Sequence, residues 1–433
     1  MKTPCRDDRR KPAPGRRTVK PSPHWRWACI MFWVLAECSL SHAGEEFHIT
    51  GSFVNPSPMV FDGFGMALAA NASVVVIGAP HAESHGVETG EAYVYNLQTH
   101  RLRITLRPPH PKGGELFGWA VAFLGSDYVV GAPRGSDREG RSTGAVYRFH
   151  GETGALLMTL TSPTPTAGTF GHAVAVRGDH LVVGDPQAST ATTFYTGAAF
   201  VFDGRTGTLL HTFYPPRPIR RSQGRFGHAV ALVGKYVAVS APLASSALAD
   251  GGSDREHTGA VYLFHEKTGV LHRVLQAPTP AAYDYFGWAL AGQGDFLLVG
   301  ALGQVGKPPE SGAAYLFNVE TGQLIHSLYP DGLQQGDHFG EAVAWAGRWW
   351  LIGAPGDDTA GIDAGAVYLF DGTAGTLLSK IVNPSPAEGA ADLFGAILEA
   401  YDQHFFVGAP FDEHDSIPDT GIVYQLGRRE PSF

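Results

Sequence analysis

Beyond position 38 the chain has no cysteine: Cys5, Cys29 and Cys38 are the only three among 433 residues. Disulfides and cysteine-ligated metal clusters are thereby excluded from everything that follows. Charge is also scarce, with Asp, Glu, Lys and Arg at 17% against 44% hydrophobic residues, too apolar a mixture for a disordered chain. No segment sustains a helical period. The 55 Gly and 30 Pro are spread along the whole length and penalise helix interiors by ~1 and ~3 kcal/mol each. No apolar run approaches membrane-spanning length. Nor is there a nucleophile elbow, a Walker loop, a His-Glu-x-x-His or a dinucleotide fingerprint. A turn-rich, mostly β chain without a catalytic signature is what these absences leave.

The cysteines belong to a distinct N-terminal segment. Residues 1–43 hold nine Lys and Arg, an apolar run from Trp27 to Ala36, and Ser41-His42-Ala43 before Gly44. Small residues at −3 and −1 after a short apolar run predict a signal peptide cleaved after Ala43, and hence export. The remaining residues carry 23 basic against 38 acidic side chains, a formal −15. That balance disfavours nucleic acid or an anionic membrane as partner, and the mature chain has no transmembrane segment.

The body is a repeat. Phe-Gly occurs at Phe64-Gly65, Phe117-Gly118, Phe170-Gly171, Phe226-Gly227, Phe286-Gly287, Phe339-Gly340 and Phe394-Gly395, at spacings of 53, 53, 56, 60, 53 and 55. About twelve residues later comes Gly-Ala-Pro or a variant of it, as in Gly131-Ala132-Pro133 and Gly353-Ala354-Pro355. Next come a small-residue–Gly step and a β-run, as in Thr143-Gly144-Ala145-Val146-Tyr147. Within the fourth copy the pattern predicts strand A over 226–232, strand B over 236–239, strand C over 260–264 and strand D over 270–275. Departures at Asp185, Ser240 and Leu302 predict less regular packing of the second motif in copies three to five.

Seven four-stranded antiparallel meanders of this kind close radially into an all-β, seven-bladed β-propeller. Its blades lie near 64–106, 117–160, 170–213, 226–275, 286–328, 339–381 and 394–426, within a domain spanning 44–427 and followed by a tail, 428–433. The seventh copy lacks strand D. The sequence Gly51-Ser52-Phe53-Val54-Asn55-Pro56-Ser57-Pro58 parallels the end of the sixth strand D, Ser379-Lys380-Ile381-Val382-Asn383-Pro384-Ser385-Pro386. An N-terminal strand, 47–53, is therefore expected to complete blade seven and latch the ring. Each Phe of Phe-Gly is expected to wedge between blades, its Gly permitting close backbone approach.

Across residues 47–426 these motifs resemble the FG-GAP repeats of bacterial exported proteins and of the integrin α-subunit head. The resemblance implies a seven-bladed propeller used in adhesion or assembly. Many FG-GAP proteins hold calcium in an A–B loop of Asp-x-Asp-x-Asp-Gly type. Here none of the A–B turns has more than one carboxylate, so calcium is not expected there, and no cofactor is implied.

Variable B–C and D–A loops share one face of such a propeller and are the natural place for recognition. Near blade four they carry Arg217, Arg220, Arg221 and Arg225, and the long B–C loop adds Asp254, Arg255 and Glu256, a candidate site for an acidic glycan or protein carboxylate. Across the ring, acidic loops include Asp357, Asp358, Asp412 and Asp415, a weaker cation candidate. His172, His228 and His338 adjoin Phe-Gly steps, where a structural role at a blade edge is expected. The expected function is thus a non-enzymatic, exported binding module for a protein or glycan. The alternatives are a propeller enzyme acting on extracellular polysaccharide, or a purely structural surface repeat.

Overall fold

A computed structural model describes residues 47–428 apart from 85, 138, 165–167, 190–194, 217–223, 246–255, 304–309, 387–390 and 415. The expected leader and its cleavage point lie outside the described residues. Among those described there is no helix, and so none long and apolar enough to cross a membrane.

Seven four-stranded antiparallel sheets follow one another along the chain. Blade four runs Val230–Val233, Tyr236–Ala241, Ala260–His265 and Leu271–Leu275. The innermost strands touch in a closed cycle around the axis, blade one meeting blade seven. Strand A starts later than the repeat suggested. Arg225 and Gly227 have φ of 53° and 93°, a left-handed backbone that no extended strand can contain. Phe-Gly is thus the turn that leads into strand A.

Blade seven closes the ring as expected. Its strands are Ile397–Tyr401, His404–Ala409 and Ile422–Arg428, and Phe47–Val54 pairs antiparallel with the last, Phe47 opposite Arg428 and Val54 opposite Ile422. Arg428, assigned to the tail from sequence, is therefore the final strand residue.

The hydrophobic core is divided into seven clusters, one between each pair of neighbouring blades. Between blades one and two, Phe117 packs among Val76 and Val94 on one side and Val130 and Tyr147 on the other. All seven Phe-Gly phenylalanines are fully buried. Truncating one to Ala would cost about 3–5 kcal/mol.

The glycines of both motifs meet each other. In blade three, Gly171 (φ 92°) donates its N–H to the Gly184 carbonyl at 3.1 Å. A Cβ on Gly131 of blade two would fall on the Gly171 carbonyl oxygen. The same contact recurs at five other interfaces, including Gly408 of blade seven against Gly65 of blade one. Only Ser240 replaces the glycine, and its hydroxyl accepts the Ala229 N–H at 2.9 Å. The copies with variant second motifs nevertheless keep the common register: Asp185 pairs with Ala198, Ser240 with Val261 and Ala301 with Ala313. The expected irregularity is absent because each variant side chain is accommodated locally.

Asp185 shows how. Five blades place a buried acid two residues before the Phe: Asp62, Glu115, Asp284, Asp337 and Asp392. It ties down the D–A loop, as where Asp337 accepts the Gln334 N–H at 2.7 Å and Asp62 that of Met59 at 2.6 Å. Blade three has Gly168 at this position. Asp185 reaches the vacant space from strand B and accepts the Thr169 N–H at 2.7 Å.

Candidate functional site

Backbone hydrogen bonds fix the two faces. D–A loops accept from B–C loops, as in Arg134 N to Glu115 O at 3.2 Å and Gly356 N to Asp337 O at 3.2 Å. A–B and C–D turns bond to each other on the opposite face, as in Gly204 N to Asp179 O at 2.7 Å.

On that opposite face several charges pair with one another. Arg148 meets Asp127 at 2.6 Å, Arg205 meets Asp179 at 2.6 Å, and Lys235 meets Glu320 at 3.0 Å; Arg177 and His180 share Glu266. Its A–B turns are tight hairpins around positive-φ glycines such as Gly125 and Gly178. Among the described residues no group of three or more His, Cys, Asp and Glu is arranged to hold a metal.

A recess of about 580 Å³ on the opposite face lies among these ion pairs, lined by Asp127, Arg148, Asp179 and Arg205, and two further recesses lie on the B–C/D–A face. One, of about 250 Å³, spans blades two to four and is lined by Trp119, Arg134, Thr169, His172, Gln187 and Arg225, with Leu116 and two prolines at its walls. Arg134 and Arg225 are exposed. Among the described residues neither guanidinium has an acidic partner. Trp119 begins a row of rings along the inner rim: Trp119 to His172 at 5.5 Å, His172 to His228 at 5.2 Å, His228 to Trp288 at 4.6 Å. Burial, reinforced by the nearby Arg225 charge, lowers His172 to about 4, so it is neutral at physiological pH. These histidines thus pack at blade edges. His338 precedes Phe339 and lies 3.6 Å from Glu341.

The second recess, about 410 Å³, lies beside blades one and seven and is lined by Met59, Phe61, Asp62, His81, Glu83, Glu88 and Phe411. His81 Nδ1 is 2.8 Å from Glu88. Phe61 is 59% exposed at a φ of 65°, a backbone that a bulky residue seldom adopts. It is pinned by a 2.9 Å bond from its N–H to the Asp419 carbonyl.

The residues expected from sequence are only partly brought together. Arg217, Arg220, Arg221, Asp254, Arg255 and Asp415 lie outside the described residues. Arg225 enters the first recess. Glu256 does not join it, since its carboxylate accepts the Tyr283 hydroxyl at 2.9 Å. The acidic candidates are used within their own blades. Asp357 bonds Lys380 at 2.6 Å and the Tyr368 hydroxyl at 2.9 Å; Asp358 accepts the Asp363 N–H at 2.9 Å. Asp412 accepts the Tyr424 hydroxyl at 2.5 Å, and burial pushes its pKa up to about 7. Arg134 was missed. Its signal lay in reading the repeat by columns: Arg134 directly follows Gly-Ala-Pro, and Arg225 directly precedes Phe-Gly.

The FG-GAP repeat family matches residues 104–149, 273–317 and 325–370. These segments are FG-GAP repeats. Each begins in strand D of one blade and ends in strand C of the next, so the sequence unit is offset from the structural blade. The chain is also similar to integrin alpha-11 of Mus musculus, 38% identical over 87 residues, which is 18% of this chain and 7% of that protein. Integrin alpha-11 of Homo sapiens is 35% identical over 95 residues, 20% of this chain and 8% of the relative. The chain thus spans less than a tenth of the length of these curated relatives. With its seven blades, it is a β-propeller that contains three FG-GAP repeats and resembles the integrin α head.

Proposed function

We propose that the protein is an exported, non-enzymatic binding module that engages a protein or glycan through its B–C/D–A face. One observation carries the reading: Arg134 and Arg225 stand exposed beside a recess on this face and, among the described residues, have no carboxylate partner, whereas Arg148 and Arg205 on the opposite face each meet an aspartate. Exposed arginines on loops held by a rigid scaffold are suited to recognition of a carboxylate. Export follows from the leader-like residues 1–43, and the integrin resemblance agrees with an extracellular setting.

The test is an array of glycans and extracellular proteins probed with labelled wild type, Arg134→Ala/Arg225→Ala, and Arg205→Ala from the opposite face. Loss with the double variant alone supports the reading. Binding that survives it and disappears with Arg205→Ala refutes it. Catalytic turnover of an array glycan would instead favour the enzyme alternative.

A further inference from the structure

We propose that the recess between blades two and four binds a carboxylated sugar ring of an acidic polysaccharide, Trp119 lying against the ring and Arg134 and Arg225 meeting its carboxylates. The inference rests on the reading that this face binds ligands, and it assigns the chemistry of one site on it.

Four observations carry it. The recess, at about 250 Å³, is smaller than the ~300–1,000 Å³ typical of sites for drug-sized ligands. It therefore takes one ring-sized group at a time and leaves the rest of a polymer outside. Its two guanidiniums are exposed and, among the described residues, without acidic partners. Arginine's planar fork matches a carboxylate with two parallel hydrogen bonds. Trp119 is half-buried at the wall, presenting a flat apolar body of the kind that covers one face of a pyranose. Thr169, His172 and Gln187 supply neutral hydrogen-bonding groups for hydroxyls.

The surroundings also select against other anions. Asp185 lies behind Thr169, fully buried, and desolvation lifts it to about 6 despite the hydrogen bonds it accepts. Residues 44–433 are formally −15. A densely charged polyanion would be repelled by that field, whereas a polymer with one charge per ring is tolerated. An aspartate side chain of a protein would satisfy the arginines but leave the indole and the neutral polar groups without a partner.

The experiment is calorimetric titration of the purified protein with trigalacturonate and triglucuronate, with the methyl ester of each, and with an Asp-containing hexapeptide. Binding of at least one free acid is expected. It should weaken at least tenfold on esterification and about tenfold or more in Arg134→Gln and in Arg225→Gln, the loss expected for a charge-assisted hydrogen bond. Trp119→Phe should retain binding and Trp119→Ala lose it, with melting curves showing each variant folded. Arg205→Gln should bind like wild type. Equal binding of acid and ester, or wild-type affinity in both arginine variants, would overturn the proposal. Binding of the peptide alone would overturn the sugar assignment while leaving the face-level reading intact. Failure of both uronides on wild type would also sink the assignment, and the array experiment would then decide the broader reading on its own.

Discussion

Removing the latch should cost the protein most of its stability. Phe53 is 1% exposed and packs between blades seven and one, its ring 5.5 Å from Tyr95 and 6.3 Å from Phe406. Phe47 is 8% exposed at the other end of the strand, 5.7 Å from Trp349 and 5.5 Å from Phe405. Each truncation to Ala should cost about 3–5 kcal/mol. Six residue steps of extended strand separate them by roughly 20 Å, far enough for the two losses to add. The double variant therefore forfeits about 6–10 kcal/mol, comparable to the 5–15 kcal/mol that holds a typical domain folded. Deleting 47–54 should do at least as much, because it also strips the pairing partner from Ile422–Arg428 and leaves an aggregation-prone edge. Urea unfolding followed by tryptophan fluorescence reads the loss, with Trp349 adjacent to Phe47. A synthetic peptide of residues 45–56 should partly restore the deleted chain's midpoint, and a scrambled one should not. An unchanged midpoint in the double Phe variant would refute the closure argument.

Three other outcomes are expected. Asp185→Ala should destabilise by about 1–3 kcal/mol through the unpaired Thr169 N–H, and adding Gly168→Asp should recover much of it by restoring the arrangement of the other blades; a double variant no better than the single in thermal melts would contradict the compensation. Glu399 stands where strand A of every other blade has Ala, and burial lifts it to about 8 from 4.5. The folded state thus keeps a proton that the unfolded chain releases, so stability present below about pH 4.5 is lost as pH rises through 8. The residue as a whole is only half-buried, which reduces the penalty to roughly 1–3 kcal/mol at pH 8.5. Glu399→Ala should raise the melt more at pH 8.5 than at pH 6.5, and equal gains would refute it; below pH 6.5 the depressed His172 acts in the opposite direction. Chelation with EDTA should leave the wild-type melt unchanged, since the A–B turns lack converging carboxylates; a large drop would reveal a structural metal.

The architecture was legible because propeller packing imposes the same demand seven times. Gly131 and Gly171 recur because two backbones touch there, Phe117 because a wedge must fill each interface, and the Asn-Pro-Ser-Pro echo because the N-terminal strand does the work of a missing strand D. Repetition turns a local steric requirement into a visible period. The candidate site was less legible for the converse reason. A recess assembled from three blades draws side chains from each, and no single copy contains it. Charge runs misled in the same way. Asp357 and Asp412 lie in acidic loops, yet Lys380 and Tyr368 hold the carboxylate of Asp357 and the Tyr424 hydroxyl binds one oxygen of buried Asp412. Arg134 adjoins the charged run Asp137-Arg138-Glu139 in sequence, yet it stands exposed in the recess without an acidic partner among the described residues. In a propeller, sequence similarity between blades locates the scaffold, and the functional face is built from differences at equivalent positions. Reading the residue after Gly-Ala-Pro and the residue before Phe-Gly down all seven copies gives Arg only at 134 and 225. Those two columns, compared side by side, are where sequence meets the recess.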